Sequence, residues 1–571
     1  MGGDSRFVSL QFPNSPPDDL SSVVRALELI IIFGYLIGIT DIRYSVQNKA
    51  GNNQRLFALY IMGFSAIDYA VLVFYLVGIT IFGTLFRSSQ KNVKDYFIGA
   101  KNIHWLVISL SIVATETSTL TLVGVPAIAY AKYNFPEQGG SFSYLQVVFG
   151  YIIARVIISL IFIPKYFQGE LLTAYELLKQ RFGVSTKNFA ASLFLVMRAL
   201  AEGVRIYAAS IVLTAVLQTS LPDVPNLTLW SIVIVGVLTL IYTFEGGIAA
   251  VIWTDLIQLI IYIGGSLVAA YMLVSLVPGG WNEIVAQGTA AGKFQVFSFK
   301  WDFGLPFTFW AGLFGGTFLT MASHGTDQLL VQRLLTCKNQ RDSQKALIFS
   351  GFVVLFQFAL FLLIGAMLYA YYQNLPNADS SISAGNCLAN TKCDQIFPRF
   401  IVGNLPHGIS GLVIAAIFAA AMSNLSGSLN SLASTTVLDF YKPLINPQAS
   451  EESLLRLSRW LTAAWGIVLI GIAFFARNWG SVFTVGLTIA SIVYGTMLGA
   501  FLLGVLTKRA NQIGVICGML ASLITMLLVK FYTSIAWTWY VLIGTLVCWT
   551  VGYTVSSFFP ACETITAEQA N

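Results

Sequence analysis

The amino-acid sequence predicts an all-α protein that crosses a membrane about 13 times. Three observations predict this class: the scarcity of charge, the long apolar runs, and the uneven distribution of Lys and Arg between loops. Of the 571 residues, 56% are hydrophobic and 10% are charged, whereas about a quarter of the residues of a soluble globular protein are charged. The composition favours a polytopic membrane protein and makes nucleic-acid binding a poor explanation of the net charge of +6.

Thirteen apolar segments are each long enough to cross a hydrocarbon layer about 30 Å thick. They are residues 67–86, 104–130, 141–167, 188–216, 228–244, 248–276, 306–334, 346–372, 402–437, 457–476, 479–505, 511–530 and 535–558. An earlier run at 26–40 predicts a fourteenth span, an interfacial helix or no native element. We expect residues 1–61 to be an N-terminal extension, which a non-native start would explain, and residues 62–571 to form a single domain.

The basic residues of the loops predict the orientation of the chain. Seventeen lie in alternate loops, namely Arg87, Lys91, Lys94, Lys101, Lys165, Lys179, Arg181, Lys187, Arg333, Lys338, Arg341, Lys345, Lys442, Arg456, Arg459, Lys508 and Arg509, and the opposite loops hold seven. Because cytoplasmic loops are enriched in Lys and Arg, we expect a plasma (inner) membrane protein. The amino end of its core faces outside and its carboxyl end faces the cytoplasm.

Two cysteines share a predicted outside loop. Cys387 and Cys393 lie in AGNCLANTKCDQ, and an oxidising compartment would allow them to form a disulfide. Two free thiols are an equally good interpretation of this spacing.

Ionisable side chains inside apolar segments are costly and therefore suggest function. Arg198, Glu202 and Arg205 are spaced at i, i+4 and i+7, on one helix face. A buried ion pair between Glu202 and one arginine would leave the other arginine free for an anionic group. Arg155 also lies in an apolar segment, with no partner that its spacing identifies.

The segment ATETSTLTLVGVP, residues 114–126, predicts an interrupted helix. Hydroxyl and β-branched side chains compete with helical hydrogen bonds, and Gly124 and Pro126 follow them. An interruption at membrane depth exposes backbone carbonyl groups, which only protein or a water-filled cavity tolerates. Interrupted helices of this kind form the ion and substrate sites of secondary transporters.

A second polar segment, AAAMSNLSGSLNS, covers residues 419–431. Helical spacing places Ala420, Ser423, Gly427 and Asn430 on one face. Close helix packing explains the small residues, but it explains neither the asparagines nor the polarity of residues 114–121. Oxygen ligands suit a hard cation, so the two segments together predict a Na⁺ site.

Four motifs resemble those of the sodium/solute symporter family, which includes the sodium–glucose cotransporters, and favour a bacterial-type member. They are NVKDYFIGAKNIHWLVISLSIVATETSTLTLVGVPAIAY, YTFEGGIAAVIWTDLIQ, DQLLVQRLLTCKN and AAAMSNLSGSLNSLASTTVLDFY, within about residues 62–530. The resemblance implies a leucine-transporter-like fold with two inverted five-helix repeats, here about 104–276 and 306–505. It also implies sodium-coupled symport of a small polar solute by alternating access, with Na⁺ as the coupling ion.

The resemblance also assigns candidate ion ligands. The family's conserved sodium site corresponds to the carbonyl groups of Ala114, Thr117 and Ala420 and the side chains of Ser423 and Asn424. Many relatives have Ser or Thr where Asn424 stands, and an amide oxygen also coordinates a hard cation. A second sodium site of some members corresponds to Asp255, Ser423 and Ser426, but Gly427 replaces an expected serine. Asp255 would otherwise hold the helices in register.

The implied substrate pocket lies between the interrupted helices at 114–121 and 317–328 and the helices at 141–167 and 188–216. Its candidate residues are Glu116, Ser118, Thr121, Gln146, Arg205, Thr320, Ser323 and Gln357. The gate tyrosine and the lysine of the sugar-transporting members correspond to Ser323 and Gln357, which disfavours a galactose-like substrate. Arg205 resembles the arginine that holds a carboxylate in sialic acid transporters, whereas an ionised Glu116 would favour an amine. A sugar, a sialic acid and another carboxylate all remain open.

Three other functions are weaker interpretations of the same sequence. Proton coupling would use Glu116 or Asp255, and a non-transporting sensor would be expected to carry a signalling domain, for which residues 559–571 provide no room. A membrane enzyme is disfavoured because the sequence has no HExxH motif and no Gly-rich phosphate loop. No feature predicts an obligatory protein partner. His324 either lines the pocket or, as the sequence slightly favours, has a packing or hydrogen-bonding role.

Overall fold

The computed structural model describes residues 64–84, 103–133, 135–168, 174–221, 223–242, 248–375 and 392–559, and all their regular secondary structure is helical. The α-helices are α1 (Ala66–Thr84), α2 (Trp105–Glu116), α3 (Thr119–Tyr130), α4 (Leu145–Tyr166), α5 (Ala174–Phe182), α6 (Val184–Ser220), α7 (Leu227–Tyr242), α8 (Ile248–Leu276), α9 (Gly280–Ala290), α10 (Thr317–Gly325), α11 (Gln328–Leu335), α12 (Gln340–Gln373), α13 (Ile396–Asn404), α14 (Ile409–Thr435), α15 (Lys442–Leu444), α16 (Glu451–Ala476), α17 (Val482–Leu506), α18 (Gln512–Tyr532) and α19 (Tyr540–Phe558). Ala311–Gly316 and Thr436–Tyr441 are π-helical.

Within the described residues, nine helices are long and apolar enough to cross a membrane, and the bent pair α2 and α3 makes a tenth. α1 and α7 contain shorter apolar stretches. Helix occupies each of the 13 segments that hydropathy predicts. The run at 26–40 and the rest of residues 1–61 lie outside the described part of the chain.

Hydropathy suggested that the segment 306–334 is one continuous helix, but the structure divides this segment. It divides into the π-helix, α10 and α11. Asp327 causes the second division, because its side chain accepts a hydrogen bond from the backbone N–H of Leu329 and so caps the start of α11. The segment 402–437 likewise divides between α13 and α14.

The predicted interruption near residue 117 is confirmed. α2 and α3 are bent by 64° at the break between them. The Thr117 hydroxyl donates to Val113 O, and the N–H of Ser118 donates to Glu116 O in place of the helical acceptor four residues back. Pro126 lies inside α3 and does not terminate it.

The helix order is the same in the two predicted repeats. An interrupted helix followed by α4, α6, α7 and α8 occupies 104–276. In the second, the π-helix and α10 form one continuous helix that is separated from α11 at Thr326 and Asp327, and α12, α14, α16 and α17 follow within 306–505. The bounds of the two inverted repeats stay a prediction.

A seam of glycines joins α4 to the π-helix. A Cβ atom on Gly150 would lie 2.2 Å from Gly312 O, and one on Gly316 would lie 2.4 Å from Val147 O. Neither distance is compatible with a side chain. The two backbones are therefore in direct contact beside the interrupted helices, an approach that only glycine allows.

A loop lysine fixes the carboxyl end of α3. Lys293 is 2% exposed, and its Nζ donates to the carbonyl groups of Ala129, Tyr130 and Ala131 at 2.8–2.9 Å. A cation is favourable at a helix carboxyl end, where carbonyl groups lack helical partners. The segment between α9 and the π-helix is thereby attached to the interrupted helix.

The 3₁₀ turn Lys392–Gln395 is attached to the amino end of α17. Asp394 is 1% exposed, and its Oδ2 accepts a hydrogen bond from Val482 N at 3.0 Å. Burial raises the pKa of Asp394 to about 7. The neighbouring Cys393 is disulfide-bonded. Cys387 lies outside the described residues, so its pairing with Cys393 stays a prediction.

Candidate functional site

A cavity lies at the break between α2 and α3, walled also by α6, α10 and α17. Six of the eight predicted substrate residues line it, namely Glu116, Ser118, Thr121, Arg205, Thr320 and Ser323. Arg198, Asp327 and Tyr494 also line it, although the sequence did not single them out as pocket residues. His324 lines it too, and its ring also makes hydrogen-bond contacts with Ser323 and Arg155, so it combines the two roles that the sequence suggested.

The remaining two candidates lie outside the cavity lining, because protein groups occupy their amide groups. Gln146 donates to Phe307 O at 2.8 Å and accepts from Ser298 N at 3.0 Å, which ties α4 to the following loops. Gln357 donates from Nε2 to Thr117 Oγ1. Gln357 therefore supports the break in the helix from α12.

The first charged cluster joins Glu116, Arg155 and His324. Arg155 Nη2 donates to Glu116 Oε2, and it lies 3.2 Å from His324 Nε2. Arg155 is fully buried, and its Nε donates to Ser350 Oγ. A buried charge needs a partner, and this pair neutralises Glu116 while leaving the Glu116 Oε1 atom without a donor among the described residues.

The second charged cluster is built on α6. Arg205 Nη1 lies 2.6 Å from Glu202 Oε1, and Arg198 Nε lies 3.5 Å from the same oxygen. Glu202 thus contacts both arginines rather than one. Arg198 Nη1 also lies 3.9 Å from Asp327 Oδ2, and Ser428 of α14 donates to Glu202 at 2.9 Å. The two clusters together contain three guanidinium groups and three carboxylates, so their charges cancel.

Several guanidinium donors of the second cluster have no acceptor. Among the described residues, nothing accepts a hydrogen bond from Arg198 Nε, Arg198 Nη2 or Arg205 Nε, although all three atoms are buried. Unsatisfied buried donors are uncommon in native proteins, and each one invites an explanation. A ligand in the cavity that both side chains line would supply acceptors.

Asp255 lies in a third cluster. Its Oδ2 accepts hydrogen bonds from Arg333 Nη2 and Ser111 at 2.9 Å and from Thr115 at 3.3 Å. These contacts connect α8 with α11 and α2. They agree with the alternative in which Asp255 holds the helices in register. Ser426, its proposed partner for a second sodium ion, is partly buried on α14.

The predicted sodium ligands lie on two helices that contact each other. The break leaves the carbonyl oxygens of Ala114 and Thr117 without a backbone donor in the described part of the chain, because Ser118 and Thr121 donate elsewhere. α14 packs against α2, and Ala420, Ser423 and Asn424 lie on it. Asn424 also lines the cavity. Free carbonyl, hydroxyl and amide oxygens are ligands that a hard cation prefers.

Comparison with known proteins agrees with this geometry. The family model described as "Sodium:solute symporter family" matches residues 96–522. The chain belongs to the sodium:solute symporter family. The symporter is 29% identical to the sodium/sialic acid symporter NanT of Aliivibrio fischeri, over 87% of this chain and 94% of that one. It is 30% identical to the sodium/sialic acid symporter SiaT of Proteus mirabilis, over 85% of this chain and 93% of that one.

More distant relatives include the sodium-coupled monocarboxylate transporter 1 of Mus musculus, 29% identical over 80% of the symporter and 71% of that protein. The symporter also resembles the solved structure of a substrate-bound, outward-open Na⁺-coupled sialic acid symporter. The TM-score is 0.72 at 28% identity, over 87% of this chain and 99% of that one. Mhp1, a nucleobase-cation-symport-1 transporter, matches with a TM-score of 0.50 at 9% identity, over 84% and 98%, and shows the fold alone.

These relationships confirm the leucine-transporter-like fold and the interpretation drawn from the four motifs. The symporter is a sodium-coupled transporter of a small solute, and its family consists of transporters rather than enzymes.

Proposed function

We propose that the symporter imports a small organic anion, and that Arg198 and Arg205 bind its carboxylate. The observation that carries this proposal is the set of buried guanidinium donors without acceptors in the wall of the cavity. Arginine presents a planar array of donors that matches a carboxylate. An anion there would supply hydrogen-bond acceptors to donors that have none among the described residues.

The charge of Glu116 does not oppose this assignment. Arg155 donates to Glu116 from a fully buried position, so the pair adds no net charge to the cavity. The sequence alone left Arg205 and Glu116 as conflicting indications of an anion and an amine. The ion pair supports the anion. The sialic acid and monocarboxylate transporters among the relatives are named for anionic solutes.

The coupling ion in this proposal binds the carbonyl groups of Ala114, Thr117 and Ala420 and the side chains of Ser423 and Asn424. The orphaned carbonyl groups at the helix break support this site. Na⁺ there ties α2 to α14 and favours the form of the cavity that is open to the outside. Substrate then binds, the outer side closes, and ion and substrate leave to the cytoplasm.

We propose one sodium ion for each transport cycle. A second ion would need Asp255 as a ligand, but Arg333 already provides that carboxylate with a cation at 2.9 Å. Two cations on one buried carboxylate would repel each other in a medium of low dielectric constant. The single ion and the monovalent anion together carry no net charge.

Uptake into proteoliposomes tests the proposed function. The solutes offered would be N-acetylneuraminate, lactate, pyruvate, gluconate, glucose and proline. Each would be tested with an inward Na⁺ gradient and with choline in place of Na⁺. We expect Na⁺ to accelerate the uptake of at least one carboxylate and not of glucose. A pH gradient in sodium-free buffer would drive uptake if protons were the coupling ion.

Variants locate the anion site in the same assay. Arg205→Ala is expected to abolish anion uptake, whereas Arg341→Ala, at an exposed position of α12, should leave uptake unchanged. Uptake that is faster with Na⁺ for glucose alone, or for no solute, would overturn the proposal.

A further inference from the structure

The cavity that the α6 arginines line also presents a hydrogen-bond acceptor and a hydrogen-bond donor. Glu116 and Ser323 both line the cavity, and Arg155 and His324 connect them. Arg155 Nη2 contacts both Glu116 Oε2 and His324 Nε2, and His324 Nδ1 lies 2.8 Å from Ser323 Oγ. The two cavity-lining groups therefore belong to one network.

Arg155 determines the proton positions in this network. A guanidinium group only donates hydrogen bonds, so the 3.2 Å contact between Arg155 Nη2 and His324 Nε2 requires that Nε2 accept. The neutral ring then carries its proton on Nδ1 and donates to Ser323 Oγ. Ser323 keeps its own hydroxyl proton, which makes only a long hydrogen bond of 3.4 Å to Thr320 O.

Glu116 supplies the acceptor of the pair. Arg155 Nη2 donates to Oε2, and within the described residues no donor reaches Oε1. The Glu116 side chain is 14% exposed, so this oxygen is accessible from the cavity. Its partner Arg155 holds it in place and cancels its charge.

We propose that Glu116 and Ser323 together recognise a hydroxyl group of the transported anion. A hydroxyl group both donates and accepts, so it satisfies Glu116 Oε1 and Ser323 at once. An ammonium group can only donate, and an unsubstituted carbon does neither. The substrate class is therefore a hydroxylated carboxylate, bound with its carboxylate at α6 and a hydroxyl at Glu116 and Ser323. This inference rests on the anion transport proposed above.

Arg155 and His324 act as positioning residues, since neither requires contact with the substrate. Arg155 orients the carboxylate and the ring, and His324 fixes the direction of the Ser323 hydroxyl. Changing either one should alter discrimination between substrates more than it alters uptake of an anion that has no hydroxyl group.

The test compares matched solutes in proteoliposomes with a Na⁺ gradient. One set is lactate, propionate and alanine, which differ only in carrying a hydroxyl, nothing or an ammonium group at the same carbon. N-acetylneuraminate and gluconate are compared with hexanoate and nicotinate as larger anions with and without hydroxyl groups. We expect kcat/KM for each hydroxylated anion to exceed that of the matched solute without a hydroxyl group by at least about tenfold. One buried hydrogen-bonded group allows a difference of this size.

Variants assign the preference to these residues. Ser323→Ala and His324→Phe should each lower the ratio of hydroxylated to unsubstituted uptake about tenfold, because uptake of the hydroxylated anion falls more than uptake of the unsubstituted one. Ser522→Ala is the matched control, because that buried serine donates to Gly544 O between α18 and α19 and does not line the cavity. It should leave the ratio unchanged.

The outcomes separate the two proposals. If anions enter with Na⁺ but hydroxylated ones have no advantage over their partners in the wild type, the hydroxyl site is overturned and anion transport stands. A wild-type preference that survives Ser323→Ala likewise overturns it. If no anion enters with Na⁺, the proposed function fails and the hydroxyl site fails with it.

Discussion

Arg333 and Asp255 form an ion pair 2.9 Å long, and neither side chain is more than 4% exposed. Arg333 belongs to α11, Asp255 to α8, and Ser111 of α2 donates to the same carboxylate. The pair therefore fixes the first half of the interrupted helix against two neighbouring elements. It also supplies Asp255 with a cation that comes from the protein itself.

Breaking this pair should destabilise the protein strongly. Asp255→Asn leaves the Arg333 guanidinium buried without its counter-charge, which typically costs about 3–5 kcal/mol. The double variant Asp255→Asn with Arg333→Met removes both charges and should recover most of that loss. Thermal unfolding in detergent measures the stability of the wild type, of Asp255→Asn and of the double variant. If Asp255→Asn were as stable as the wild type but had lost cooperative activation by Na⁺, Asp255 would be an ion ligand instead.

Ser423→Ala tests the sodium site. Losing one of a few oxygen ligands should raise the Na⁺ concentration for half-maximal uptake about tenfold, by analogy with the loss of one charge-assisted hydrogen bond. The order of preference among substrates should not change. Initial uptake rates across a series of Na⁺ concentrations provide the measurement. Ser410→Ala is the control, because that serine of α14 donates to Ile401 O. Identical Na⁺ activation curves for Ser423→Ala and wild type would remove Ser423 from the site.

Transport should be electroneutral for a monovalent anion. One Na⁺ and one carboxylate carry no net charge, so a membrane potential should not drive uptake. Each uncompensated charge would instead gain about 2.3 kcal/mol per 100 mV, equivalent to roughly fiftyfold accumulation. Potassium diffusion potentials set with valinomycin provide the measurement. Uptake that rises with an inside-negative potential would require a second sodium ion.

Asp394 should make stability depend on pH. Burial raises its pKa from the ordinary aspartate value of 3.8 to about 7 in the folded protein. The folded state therefore binds more protons than the unfolded state between these values, and stability is lost as pH rises toward and through 7. The slope approaches about 1.4 kcal/mol per pH unit between the two pKa values. Unfolding temperatures at pH 6 and 8 should differ less in Asp394→Asn, which keeps an acceptor for Val482. An equal difference in both proteins would contradict the assignment.

Hydropathy was sufficient to predict the helical segments, because a hydrocarbon solvent forces backbone groups to bond within each helix. The break at Thr117 was equally predictable, since the competing hydroxyl groups are local in sequence. Ion pairs and hydrogen bonds between side chains on different helices were not predictable from the sequence. Glu116 and Arg155 are 39 residues apart, and helical spacing relates only residues on the same helix.

The two candidates outside the cavity lining have the same cause. The family resemblance assigned Gln146 and Gln357 to the implied substrate pocket. Their amides instead bond to loop backbone and to Thr117, which no local pattern reveals. The spacing did predict that Arg198, Glu202 and Arg205 lie on one helix face. It suggested an ion pair with one arginine, whereas Glu202 contacts both.

The glycine seam between α4 and the π-helix has a mechanical consequence. Carbonyl groups and Cα atoms face each other there with no side chain between them, so sliding one backbone along the other would drive atoms into overlap. We therefore expect the two elements to move together. The conformational change that opens the cavity to one side and then to the other should have its hinges outside this contact. α4 and the π-helix would then move as one rigid body.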